Sequence, residues 1–189
     1  MPAGAQPTEE MLAALKTSAA ILRDAEIPFA LSGGFAAWAR GGPATEKDVD
    51  LVIRAEDADR SLAALGQAGL RTERPPEGWL VKAWHEGVLI DLIYSPSGYQ
   101  VDDDVLSRAD QLSVDGMPMP VLPATEVIVS KLCALSERHL DFEGLLQLTR
   151  SLREQLDWDE LRRHTADSPF ARAFLSLATE LNIAPAGED

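Results

Sequence analysis

The 189-residue chain has a single cysteine, Cys133, so it forms no internal disulfide and a reducing cytoplasm is its expected compartment. Cys133 falls in an apolar helical stretch and reads as a small core residue. No apolar run approaches the ~20 residues of a membrane span, and no membrane partner is expected. The N-terminus lacks the basic-then-apolar pattern of a signal peptide. Positive charge is scarce: 17 Lys and Arg against 31 Asp and Glu give a net charge of −14 and a pI near 4.5. Phosphate binding draws on Lys and Arg, so such a surface argues against a broad duplex-binding face. It does not exclude a local basic pocket that grips one RNA end. His85, His139 and His164 share no metal-ligand spacing, and each reads as a surface or packing residue. There is no Gly-x-Ser-x-Gly elbow, paired-cysteine motif or Walker loop, so hydrolase, zinc and P-loop chemistry lack support.

What is present is an apolar content of 46%, enough for one domain with a real core or a domain with a small helical appendage. The stretch that orders the rest runs from Leu31-Ser32-Gly33-Gly34 to Asp48-Val49-Asp50-Leu51-Val52-Ile53. Before it, Ile27 to Leu31 is a short apolar run that suits a buried strand. Gly33 and Gly34 carry no Cβ, so they allow a tight turn and close backbone approach. Phe35 to Arg40 suits a short helix, stopped by Gly41-Gly42-Pro43. The helix start offers free N–H groups beside the glycines, where a phosphate can sit. From Asp48 the chain reads as a strand, with Asp48 and Asp50 on one face and Val49, Leu51 and Ile53 on the other. Two close carboxylates repel, and a hard divalent ion such as Mg²⁺ lets both stay ionised. An acidic strand end facing water is the other reading of the pair; the Gly-Gly turn favours the first.

Around this stretch strands and helices alternate. Thr8-Glu9-Glu10 reads as N-cap and acidic first turn of a helix over residues 8–24, with Met11, Leu12, Leu15, Ala19 and Leu22 on the core. Ala55 to Gly69 reads as another helix, with Leu62 and Leu65 inward. Trp79–His85 and Val88–Tyr94 are strand-like runs joined by Glu86-Gly87. Such a two-residue loop sets His85 opposite Val88 and Lys82 opposite Asp91. Asp102-Asp103-Asp104 reads as a solvated helix start. Leu112–Val114 and Met117–Val121 flank a second hairpin turn at Asp115-Gly116, and Pro118 and Pro120 confine the second run to a sheet edge. From Pro123 the chain turns helical, with helices fitting 124–137, 140–154, 157–165 and 168–182, the last opened by Ser168-Pro169. The expected fold is α/β (α+β): a small mixed sheet with flanking helices over residues 1–122, then a helical part over 123–189.

Ser32-Gly33-Gly34, a short helix and then Asp48-Val49-Asp50 resemble the signature of the DNA polymerase β-like nucleotidyltransferase superfamily. The likeness covers roughly residues 20 to 150 and is nearest to the small bacterial AbiEii/MenT-like group, whose members include toxins of toxin–antitoxin pairs. The resemblance implies a nucleotidyltransferase sheet, an NTP as substrate and two Mg²⁺ ions. Gly33 and Gly34 would then hold the β- and γ-phosphates, with Ser32 adding a hydroxyl. Asp48 and Asp50 would ligate the ions. Asp91 would be a third carboxylate that also helps deprotonate the acceptor. A lysine on a late helix, matched by Lys131, would contact triphosphate, and an acid on the next helix is matched by Asp141. The chain departs from these relatives at His139-Leu140, where a lysine commonly precedes the acid, and at Glu46, where several have Ser or Thr.

The reaction implied moves an NMP onto an acceptor hydroxyl and releases pyrophosphate. A tRNA end is the acceptor implied by the toxin relatives, with a cognate antitoxin as partner. A protein hydroxyl or a small aminoglycoside-like molecule fits the acidic surface better. A catalytically silent binding module is the rival from another class, and an intact set of three acids argues against it.

The residues themselves leave two positions open. Asp91 has Leu89 and Ile93 as neighbours on its strand face, and a charge there needs a partner. That partner is either Lys82, in an ordinary cross-strand ion pair, or a metal. Lys131 lies between Val127, Ile128 and Leu135, within an apolar stripe. It either snorkels to water or faces the nucleotide cleft.

Overall fold

The computed structural model describes residues 6–45 and 48–186. The first elements are α1 (Glu9–Asp24), β1 (Phe29–Leu31), α2 (Gly33–Ala39), β2 (Val49–Ile53) and α3 (Ala58–Gln67). Then come β3 (Arg71–Glu73), β4 (Leu80–His85), β5 (Val88–Ile93), α4 (Asp103–Ser107), β6 (Asp110–Val114) and β7 (Met117–Val121). Helices α5 (Ala124–Cys133), α6 (Phe142–Leu152), α7 (Trp158–Thr165) and α8 (Pro169–Glu180) follow. The seven strands form one mixed sheet in the order β3-β4-β5-β2-β1-β7-β6, so the α/β fold class stands as expected. No helix among the described residues is long and apolar enough to cross a membrane.

Local chemistry accounts for most of these elements. Thr8 caps α1, its hydroxyl accepting from the Met11 N–H at 3.2 Å. Asp102 caps α4 and Ser168 caps α8, with Pro169 in the first turn. In the β4–β5 hairpin, Glu86 and Gly87 take φ values of 49° and 88°, the left-handed pair that a two-residue turn needs. The register follows from that turn: His85 pairs with Val88 and Lys82 with Asp91.

The crossover from β2 through α3, β3 and β4 brings β5 back beside β2, parallel to it, with Asp50 paired to Asp91. One face of these strands is apolar and covered by α1 and α3. Val49, Leu51, Ile53, Ile90, Leu92, Val81 and Ala83 are all fully buried there. Each large aliphatic among them contributes about 1.5–3 kcal/mol of burial. The opposite face carries Asp50, Asp91 and Lys82.

Two expectations need correcting. The proline-bearing strand β7 is not an edge strand: it lies between β1 and β6, and β6 is the edge. Pairs alternate along an antiparallel ladder, so Pro118 and Pro120 fall where the missing N–H points away from β6. On that other side β1 is only three residues long and meets β7 at Val121 alone, so no bond to the prolines is lost. The second correction concerns α2, which starts at Gly33 rather than Phe35, so both glycines lie in its first turn.

Helix α5 joins the helical part to the sheet layer, with α2, α6, α7 and α8 packed around it. That explains why seven of its ten residues are buried, Glu126 among them. Arg40 at the end of α2 donates to the carbonyls of Leu122 at 2.6 Å and Val121 at 2.9 Å, fixing α2 against β7.

Candidate active site

The parallel pairing of β2 and β5 sets Asp50 beside Asp91 on the sheet face that α1 and α3 leave open. Asp48 stands just ahead of β2 and is close enough to raise the pKa of both. Asp50 is pushed up to about 6, first by burial. The charge of Lys131 and a hydrogen bond from the Gly34 N–H pull against that shift, while Asp91 and Asp48 add to it. Asp91 is only 9% exposed and is also raised by burial. Lys82 opposes that rise, its Nζ 3.3 Å from Asp91 Oδ1. The Lys82 pairing expected from the hairpin is therefore present, and it occupies one of the two Asp91 oxygens.

The glycines are forced by this crowding. Gly33 takes φ +56°, and a Cβ there would come 1.8 Å from Asp50 Oδ2. A Cβ on Gly34 would come 2.4 Å from Thr45 Oγ1. No other residue type fits either position without moving the carboxylate or the Thr45 loop. Ser32 donates its N–H to the Asp50 carbonyl at 2.9 Å. It occupies the N-cap of α2, yet its side chain makes no capping bond.

On the other side of α2 a cleft of 490 Å³ opens between the Pro43–Thr45 loop, α5 and α6. Gly34, Thr45, Lys131, His139 and Asp141 line it, over a floor that includes Ala37 and Leu148. Lys131 is exposed here, not held in the apolar stripe, because α5 turns that position outward at its last turn. Asp141 caps α6, its Oδ1 accepting from the Gly144 N–H at 2.9 Å.

The structure thus brings Gly34, Lys131 and Asp141 to one cleft, and Asp48, Asp50 and Asp91 to one row beside it. Ser32 and Gly33 lie between them. Glu46, the departure noted ahead of the acid pair, lies outside the described residues. Thr45 and Tyr99 were not foreseen. Thr45 follows the Gly41-Gly42-Pro43 helix stop with no pattern of its own, and Tyr99 follows a Ser-Pro-Ser-Gly segment that reads only as loop.

Among the described residues no group of three or more His, Cys, Asp or Glu is arranged to enclose a metal ion. The donor set nonetheless suits a hard divalent cation. Asp50 and Asp91 are neighbours whose mutual repulsion, with that of Asp48, an ion would relieve. Mg²⁺ is commonly held by one or two carboxylates, its other positions filled by phosphate oxygens and water. The row fits that open kind of site.

Over residues 6–187 the chain matches the family described as an uncharacterised nucleotidyltransferase. No curated protein is significantly similar to it. Among solved structures, the antibiotic-resistance factor ANT(2'')-Ia is similar with a TM-score of 0.59 at 16% identity, covering 94% of this chain and 100% of that one. The lincosamide antibiotic adenylyltransferase LnuA gives 0.52 at 14% identity, covering 76% and 98%. An antigenic nucleotidyltransferase-like protein from Paracoccidioides brasiliensis gives 0.54 at 16%, covering 93% and 94%. At these identities the likeness establishes a shared fold.

Proposed function

The chain belongs to this nucleotidyltransferase family, and on that premise we propose that it moves an NMP from an NTP to a hydroxyl of a small, cationic acceptor. The observation that carries the reading is the side-by-side pair Asp50–Asp91, set against Gly33 at the edge of a cleft that holds Lys131. Gly33, Gly34 and Ser32 would receive the β- and γ-phosphates, and Lys131 would balance triphosphate charge. Asp141 and the floor of the cleft would face the nucleoside. Asp48, Asp50 and Asp91 would hold Mg²⁺, two ions in the fullest form of the proposal; when bound it neutralises the charge that develops on the phosphates. Asp91, which is also raised by burial, would help deprotonate the acceptor hydroxyl. The new bond joins the acceptor oxygen to Pα, the Pα–O bond to the β-phosphate breaks, and pyrophosphate leaves.

A small cationic acceptor is favoured by the charge of −14, which attracts amines and repels polyanions. ANT(2'')-Ia and LnuA act on antibiotics, and the chain spans nearly the whole of each. A tRNA end, as for toxins of the AbiEii/MenT-like group, is the second reading. Exposed Arg138, His139 and Leu140 beside the cleft favour it, since a cation and a ring suit an unstacked base. The test incubates the protein with Mg²⁺, α-labelled NTPs and either a panel of aminoglycosides and lincosamides or total tRNA. Label on a small molecule supports the first reading, and label on RNA replaces it with the second. A parent protein that neither binds an NTP nor releases pyrophosphate overturns both.

A further inference from the structure

The open face of the sheet carries one row of charge across four strands. Register sets Asp50 on β2 beside Asp91 on β5, Asp91 opposite Lys82 on β4, and Lys82 opposite Glu73 on β3. Directly opposed side chains start ~4.5–5.5 Å apart, so a lysine reaches the carboxylate on either side of it. Lys82 uses one of its two. Its Nζ lies 3.3 Å from Asp91 Oδ1, and among the described residues no ion pair joins it to Glu73. Glu73 is exposed and loosely engaged. Its Oε2 is 3.6 Å from Arg71, whose guanidinium has a second hold, 3.8 Å over the Trp84 ring.

Asp91 stands differently. It is buried beside Asp50, so its charge calls for a cation. Lys82 answers with one ammonium on one of two oxygens. A divalent ion on the row would answer more fully, and beside it the ammonium would be a like charge. The two cations compete for one carboxylate. We infer that Lys82 is an exchangeable counter-cation of the carboxylate row: it holds Asp91 until a divalent ion takes that carboxylate, and then turns to Glu73.

The exchange needs little. A lysine carries its charge on a flexible four-carbon stem, so it changes partner by rotamer alone. Glu73 waits across a strand pair already made, and no backbone has to move. Lys82 thereby keeps the row together while no ion is bound, and keeps the row from binding an ion tightly on its own. The inference rests on the proposed role of the row in holding Mg²⁺.

The test is titration with Mn²⁺ alone at pH 8 in moderate salt, the free ion counted by electron paramagnetic resonance. The proteins are the parent, Lys82→Met, Glu73→Gln and the double variant. Lys82→Met should bind Mn²⁺ roughly five- to tenfold more tightly, the scale of one unit charge at close range in water. Glu73→Gln, which leaves Lys82 nowhere to turn, should bind roughly two- to threefold more weakly, the scale of one exposed ion pair. In the Lys82→Met background the same change should have no effect. Without the ion, Lys82→Met should melt below the parent, since Asp91 stays buried and loses its partner; Mn²⁺ should raise its melting temperature by more than it raises the parent's. Lys82→Gln takes the place of Lys82→Met if that variant does not fold. Binding in Lys82→Met no tighter than in the parent overturns the inference and makes Lys82 a support that holds Asp91 in place. An equal loss from Glu73→Gln in both backgrounds overturns the exchange, for Glu73 then acts through its charge alone. If neither the parent nor Lys82→Met binds Mn²⁺, the metal site itself is overturned, and the inference with it.

Discussion

Asp50→Asn should make the ligand-free protein more stable at neutral pH. The folded-state pKa of Asp50 rises from 3.8 to about 6, mainly through burial and with Asp91 and Asp48 adding to it. The folded chain therefore holds this proton more tightly than the unfolded chain does. As pH climbs from 3.8 through 6 the folded state must give it up at a cost, and the cost is complete above that window. Each unit corresponds to 1.36 kcal/mol, so two units make roughly 3 kcal/mol an upper limit. Asp50 is partly solvated and an amide must find its own partners, which reduces the expected gain to roughly 1–2 kcal/mol. Urea denaturation at pH 8 and pH 4, followed by tryptophan fluorescence, reads this directly. The variant should be more stable at pH 8 and equal to the parent at pH 4. A variant no more stable than the parent at pH 8, or offset equally at both pH values, would refute the claim that buried, crowded charge is what Asp50 contributes.

Three further outcomes follow from the same geometry. Lys131→Met should lower the melting temperature only slightly, since the side chain is exposed, and lower NTP affinity by ~1–3 kcal/mol in calorimetric titration. It should also enlarge the Asp50→Asn gain, because Lys131 is the largest influence holding the Asp50 pKa down. Gly33→Ala should cost about 1–3 kcal/mol in urea denaturation, since its φ of +56° and the Asp50 carboxylate both oppose a Cβ; a parental midpoint would contradict this. Asp91→Asn should leave the ligand-free protein as stable as the parent or slightly more so, because burial outweighs the Lys82 pair. It should also remove the upward melting shift given by Mg²⁺ with ATP, and a normal shift would reduce Asp91 to its ion pair with Lys82.

The β4–β5 hairpin was readable because a two-residue X-Gly loop admits one register, and Lys82 against Asp91 follows from counting back from it. What counting could not supply was the third strand. Asp50 meets Asp91 only because β5 returns parallel to β2, a pairing made across α3 and two strands. Lys131 stayed between two readings for a related reason. A helical wheel marks the apolar stripe, but the side of α5 at its last turn is left to the cleft by where α6 begins. The edge rule for proline failed because it counts neighbouring strands and not their lengths, and β1 is too short to ask for the missing N–H groups.

The pairing of the two acids is enforced from the opposite side of the sheet. Side chains alternate along a strand, so a slip of one residue between β2 and β5 would swing Asp50 or Asp91 beneath α1 and α3. It would also turn Val49, Leu51 and Ile53, or Ile90 and Leu92, out toward water. Burial of two or three such aliphatics, at ~1.5–3 kcal/mol each, exceeds the roughly 3 kcal/mol upper limit by which the crowded Asp50 opposes folding. The core can therefore hold repelling carboxylates in one row with no ion present. Around them the local preferences of the chain give way together: Gly33 in the left-handed region and Ser32 at a cap it does not make. Such conflicts cluster where a site is held against its own energetics by well-packed surroundings. Relief of that repulsion by a cation is what would turn the stored cost into binding.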